Sequence, residues 1–370
     1  MNIAISAYQE ELARTRKILE NPESTLPALI FSTTGRIVCK ITGRKESLPL
    51  LYNFIVLALV VQLPTLLLVL LFGDYEQWQK PGFLWVGFLE LKLGFLWMVY
   101  LELGLFGTIL GHLLVFYVYD NMNNYVVEAI QRQEDLRDLQ DVFARVGSIK
   151  NSFLVTLGFT VFWSVSFSWF ISDYIGQFIG IGLLVGTIVF GLLLGPAIYL
   201  EGCYYFFITH VGRYSYTLNH TSPAHSQPIY RISRIVTVLI YSIAIFIAVA
   251  TATVAFSIGA VVLAMLIGWI PTIVYFFASQ LSIKRIITNA KWKMLDRIQE
   301  QIRKLNDGDI TNKENVEAIT KLMDYHERIR ATPNSALNLG SGMNFAGQLA
   351  LPIIGANLDK IIKLLEPFFK

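Results

Sequence analysis

Apolar runs about twenty residues long recur through this 370-residue chain, and nothing else constrains its fold as much. A helical run of about that length spans the hydrocarbon core of a bilayer. Lipid offers no partner to backbone N–H and C=O groups, so each such run is expected to cross as a helix. Residues 50–72 (LLYNFIVLALVVQLPTLLLVLLF) form the first predicted span, interrupted by Gln62 and Pro64. Apolar sequence then continues from Phe83 to Tyr119, longer than one upright crossing needs. Residues 152–171, 176–200, 233–256 and 260–283 supply four more. The expected fold is all-α: a six-span transmembrane bundle over 50–283, with helical cytoplasmic loops at 119–150 and 210–232. An N-terminal helical or interfacial segment (1–49) and a C-terminal helical hairpin with an interfacial tail (284–370) flank it.

Charge gives the orientation. Only 15% of the residues are charged, against about a quarter in soluble domains, and the net charge of +3 is too small to point to nucleic acid. Of 30 Lys and Arg, seven lie in residues 1–50, four in 119–150, three in 210–234 and fourteen after 283. Lys80 alone falls in a loop of the opposite side, and Lys92 lies inside an apolar run. Basic residues collect in cytoplasmic loops, so this distribution predicts a multi-pass cell-membrane protein with both termini in the cytoplasm and short outer loops. The first fifty residues lack the pattern of a cleaved signal peptide. Cys39 and Cys203 lie far apart and suggest no disulfide framework.

The cytoplasmic parts read as helices. From His112 to Val146 there is no Gly or Pro, so the second span is expected to continue outward as one long helix. Leu136, Leu139, Phe143 and Val146 form an apolar stripe at helical period. The sixth span is expected to continue likewise to Asp307, with Leu295, Ile298, Ile302 and Leu305 as its stripe. Thr311 and Glu314 read as a capping box opening another helix, whose face would carry Val316, Ile319, Met323 and His326. At the N-terminus Ile5, Tyr8, Leu12 and Leu19 line a helix that stops at Asn21-Pro22. Such stripes suit burial in a helical hairpin, or pairing between subunits. Gly and Pro divide residues 337–370, so that tail suits an interfacial helix better than a seventh crossing.

No P-loop, HExxH, GxSxG, C-x-x-C or TVGYG motif occurs, so neither an enzyme nor potassium-type selectivity is expected. His210, His220 and His225 share one loop at spacings that match no usual metal site; no metal or cofactor is predicted. Gly180, Gly182, Gly186, Gly191 and Gly195 give the fourth span small-residue faces for close helix packing, within the chain or between subunits. Gly104, Gly107 and Gly111 do the same in the second. The tripeptide Tyr-Leu-Glu occurs at 100–102 and again at 199–201, each followed by a histidine, which leaves a duplicated unit open.

Ionisable groups inside apolar helices are costly and face protein, water or the interface. Glu102, Glu201 and His112, with Gln62 as a neutral contributor, are therefore candidates to line a polar path, or to serve as structural hydrogen-bonding groups. If the second span begins at Phe83, Glu102 lies at the cytoplasmic mouth; if residues 83–92 lie along the outer surface, it is deep. The leading expectation is a homo-oligomeric ion channel gated through its cytoplasmic helices by a protein or small-molecule trigger. A secondary transporter comes next, with Pro64, Pro196 and Pro271 as helix breaks. A non-conducting receptor or scaffold for a cytoplasmic partner comes third.

Overall fold

The structure is a computed structural model, and it describes residues 2–42, 83–170, 178–219, 222–254, 265–306 and 313–334. The expected first span with Gln62, the capping-box Thr311 and the tail from 335 lie outside the described residues. Helices dominate: α1 (Asn2–Leu19), α2 (Leu26–Thr42), α3 (Phe83–Asn121), α4 (Gln133–Val146), α5 (Ile149–Phe170), α6 (Phe178–Val211), α7 (Gln227–Val254), α8 (Ile270–Asn306) and α9 (Lys313–Ala331). Among the described residues the nearest thing to a sheet is one antiparallel bridge, Ile130 with Tyr216. Among the described residues three stretches, Leu103–Ala129, Leu184–Val211 and Gln227–Ala248, are long and apolar enough to cross a membrane; the expected first span and parts of the others lie outside the described residues.

Close contacts fix the helix directions. Gly104 lies against Phe190 and Leu193, and Gly111 against Ala197 and Leu200, so α3 and α6 run parallel. Tyr205 meets Tyr275, with ring centroids 6.1 Å apart, and Gly212 meets Ser282, so α8 runs parallel to α6 as well. Thr160 packs on Gly191 and Thr156 on Gly195, which makes α5 antiparallel to α6. The long helices α3, α6 and α8 are thus three rods pointing one way. Where they emerge, α1, α4 and the loop after α6 form a cap.

Rods and cap share one core. It runs from Leu114, Val115 and Tyr119 through Leu136, Leu139, Phe143 and Val146 to Tyr216, Leu218 and Ile229. Phe143 is the joint, edge-on to Tyr119 at 4.8 Å and to Phe207 at 5.6 Å. All four stripe residues of α4 are buried. The N-terminal helix ends at Leu19, immediately before Asn21-Pro22, as its sequence predicts.

Two expectations fail here. The second span does not run on to Val146. After Asn121 the chain takes a π turn (Met122–Val126) and a 3₁₀ turn (Val127–Ala129), then extends before α4 begins at Gln133. Tertiary hydrogen bonds hold that break. Gln131 N–H donates to the Ser215 carbonyl (2.8 Å) and Thr217 N–H to that of Ala129 (2.7 Å). The Tyr8 hydroxyl donates to the Ile130 carbonyl (2.6 Å). On α9, Val316 and Met323 are exposed; the face that packs on Leu295, Ile298 and Ile302 carries Leu322, Tyr325 and Ile329. Buried Lys291 fixes this choice. Its ammonium donates to the Arg330 and Thr332 carbonyls (2.7 and 2.8 Å) and to Asn334 Oδ1 (2.9 Å), so a cation sits at the C-terminus of α9, where helix carbonyls favour one.

A polar clasp holds α1 to the cap. The Glu11 carboxylate, on a buried side chain, accepts from Arg137 Nε (2.9 Å) and from Gln140 Nε2 (3.1 Å). Gln140 also donates to Thr15 Oγ1 (3.0 Å), and Arg16 pairs with Glu128. The hydrogen bond from Arg137 and then that from Gln140 hold the Glu11 carboxyl below its ordinary pKa. A depressed carboxylate contributes stability above its unfolded pKa and loses it as pH falls through the folded value. The α1 clasp is therefore expected to hold at neutral pH and to weaken as pH falls from the ordinary Glu range through the depressed folded value. Glu11→Gln should flatten that dependence. Amide exchange over residues 2–19 at several pH values checks both outcomes.

Candidate functional site

Where the rods leave their apolar zone, three tyrosines come together. Tyr119 of α3, Tyr204 of α6 and Tyr275 of α8 are each at most 2% exposed. The helix register places them there. Gly111 is level with Ala197 and Leu200, so Tyr119, two turns on, reaches the level of residues just past Tyr204; Tyr275 meets Tyr205 directly. The hydroxyls of all three lack a hydrogen-bond partner among the described residues. Each phenol buried that way costs about 1–3 kcal/mol. The Tyr204 hydroxyl lies within electrostatic range of Tyr119, Tyr275 and the free Cys203 thiol, and Tyr275 within range of Glu201.

Glu201 is half-buried, one turn before Tyr204. His112 is buried and lies against Phe116 of its own helix, ring centroids 4.8 Å apart. Since Gly111 touches Leu200, His112 and Glu201 share one level. Glu102 does not share it. Nine positions before Gly111 in an unbroken helix, it is about 13 Å further along the axis at the usual helical rise; its side chain lies outside the described residues. Because α3 is continuous from Phe83, residues 83–92 have no turn at which to fold along a surface. The two Tyr-Leu-Glu tripeptides, so offset, do not occupy equivalent levels.

The glycines act at helix contacts. A Cβ on Gly195 would stand 2.7 Å from Thr156 Cα, and one on Gly191 2.8 Å from Thr160 Cα, both on α5 of the same chain. Gly186 is buried, while the surroundings of Gly180 and Gly182 lie outside the described residues. Pro196 does not break α6. Proline removes one helical N–H and crowds the preceding turn, and there Thr108 of α3 donates its hydroxyl to the Leu193 carbonyl (2.6 Å). A neighbouring helix thus supplies a bond next to the weakened turn.

The histidines do not converge. His210 bonds the Phe206 carbonyl through Nδ1 (2.9 Å), His225 is exposed, and His220 lies outside the described residues. Among the described residues no group of His, Cys, Asp or Glu is arranged to hold a metal ion. The tyrosine layer is what residue motifs missed. Its signal was a phenol in an apolar stretch of each of three helices, since phenols ordinarily seek a hydrogen-bond partner when buried. No known protein family, curated protein or solved structure matches this chain.

Proposed function

We propose that the chain is a multi-pass membrane protein, six-spanning with both termini cytoplasmic, that assembles as a homo-oligomeric ion channel gated through its cap. The observation that carries this reading is the single core joining rods and cap. Close-packed interiors transmit displacement, so a ligand or partner that shifts the cap would shift α3, α6 and α8 with it. A membrane boundary is consistent with the exposed surface of the rods and their neighbours. Exposed Phe116 gives way to Asp120 on α3, Phe153 to Lys150 on α5, and Leu281 to Lys284 and Arg285 on α8. Beyond that boundary α5 exposes Leu154, Leu157, Val161, Phe162 and Val165, an apolar patch suited to lipid or to another copy of the chain.

Within one chain the described core is close-packed and mostly apolar, so we put the conduction path between copies. Glu102 and Glu201 would then favour cations. The same filled core favours a second reading, a non-conducting receptor or scaffold that binds a cytoplasmic partner at the α8–α9 hairpin. Purified protein in liposomes separates the readings: fast non-saturating flux for a channel, saturable flux for a secondary transporter, none for a scaffold. For the channel, Glu102→Gln and Glu201→Gln are each expected to weaken cation preference without loss of assembly. Reversal potentials in a cation gradient read this directly. Values identical to wild type in both variants would remove these carboxylates from the path.

A further inference from the structure

The three buried phenols carry an inference that does not depend on whether the protein conducts. We infer that Tyr119, Tyr204 and Tyr275 form an internal water-binding site, in which one or two waters bridge the three parallel rods where the cap begins. Each hydroxyl is buried and lacks a protein partner among the described residues. The three come from three different helices at one level, so no single backbone shift pairs them all. A bridging molecule must both donate and accept, because each phenol can do either, and it must fit among close-packed side chains. Water meets both conditions, and a buried water typically makes about three hydrogen bonds to groups of this kind. The surroundings fit a small neutral guest. Phe143 packs on Tyr119, and Tyr205 packs on Tyr275. Glu201, the Cys203 thiol and the Tyr199 hydroxyl are further polar groups within electrostatic range of the triad.

Such a site would be a hydrated joint. Three rods that meet through water can exchange hydrogen-bond partners during a small displacement without leaving a phenol unpaired. Direct phenol–phenol bonds would have to break first.

X-ray radiolysis with mass spectrometry tests the site on the full-length protein in detergent or nanodiscs. Hydroxyl radicals made from bound water oxidise adjacent side chains even where bulk water is excluded. Tyr119, Tyr204 and Tyr275 are expected to be labelled within about a factor of three of exposed Tyr230, and at least tenfold faster than buried Phe207. Tyr204→Phe, which keeps the ring and removes one bridge point, should reduce labelling of both Tyr119 and Tyr275 severalfold. Tyr275→Phe should do the same for the other two. Labelling of the triad no faster than Phe207 would overturn the inference. So would labelling unchanged by both variants, which would mean that the phenols share no guest. Triad labelling that rises in sodium or potassium relative to choline would also overturn it, placing a cation rather than water at the site.

Discussion

Phe143→Ala is expected to destabilise the protein by about 3–5 kcal/mol, the usual cost of removing a buried aromatic ring. The loss should be local at first. Phe143 is 2% exposed and touches both Tyr119 and Phe207, so its ring links α4 to two rods at once. Each aromatic pair contributes about 0.5–1.5 kcal/mol beyond area burial, and both pairs go together. Amide exchange should therefore rise over α1 and α4 while α5, α6 and α7 stay protected. Phe143→Leu, which retains most of the apolar volume, should cost less than half as much. A Phe143→Ala change below about 1 kcal/mol, well short of the typical ring deletion, would mean that rods and cap are not one core.

Gly195→Leu acts near the middle of α6. Even a Cβ at this position stands 2.7 Å from a backbone atom of Thr156, so α5 must move rather than a side chain rotate. Over-packing of this kind costs about 1–3 kcal/mol and occasionally more, and a full leucine belongs at the upper end. The folded yield and thermal midpoint in detergent should both fall sharply. Gly158→Leu is the control. Gly158 lies on exposed α5 surface with nothing within 4 Å of a Cβ, so its midpoint should stay at or above wild type. Equal effects from the two substitutions would contradict the α5–α6 packing.

These two sites differ in how far sequence reveals them. The stripe Leu136, Leu139, Phe143 and Val146 is legible because helical period alone selects the buried face, and all four are buried. The helical run from Thr272 to Asn306 and the stop at Asn21-Pro22 were legible for a similar reason: local residue chemistry decides them. The break between Asn121 and Gln133 was not. It contains no Gly or Pro and is held by bonds to Ala129, Ile130 and Gln131 from residues far away in sequence. On α9 two apolar stripes compete, 316-319-323 and 322-325-329, and only the partner helix and Lys291 decide between them. The candidate site divides in the same way. Glu201 and His112 stand out as polar residues in apolar helices, but their shared level, and the offset of Glu102, follow from glycine contacts between α3 and α6. The tyrosine layer depends on that register too.

The parallel rods α3, α6 and α8 deliver the chain to one cap, which the proposed topology puts on the cytoplasmic side. Side-specific thiol labelling decides that orientation. In a background with Cys39 and Cys203 replaced by serine, single cysteines would be placed at Glu128, Thr217 and Asn306, exposed positions beyond the ends of α3 and α6 and at the end of α8. A fourth would be placed at Gln77, in the expected outer loop. An impermeant maleimide is expected to reach Gln77 from outside intact cells and the other three only after the membrane is opened. Labelling of any one of Glu128, Thr217 or Asn306 from outside would contradict it.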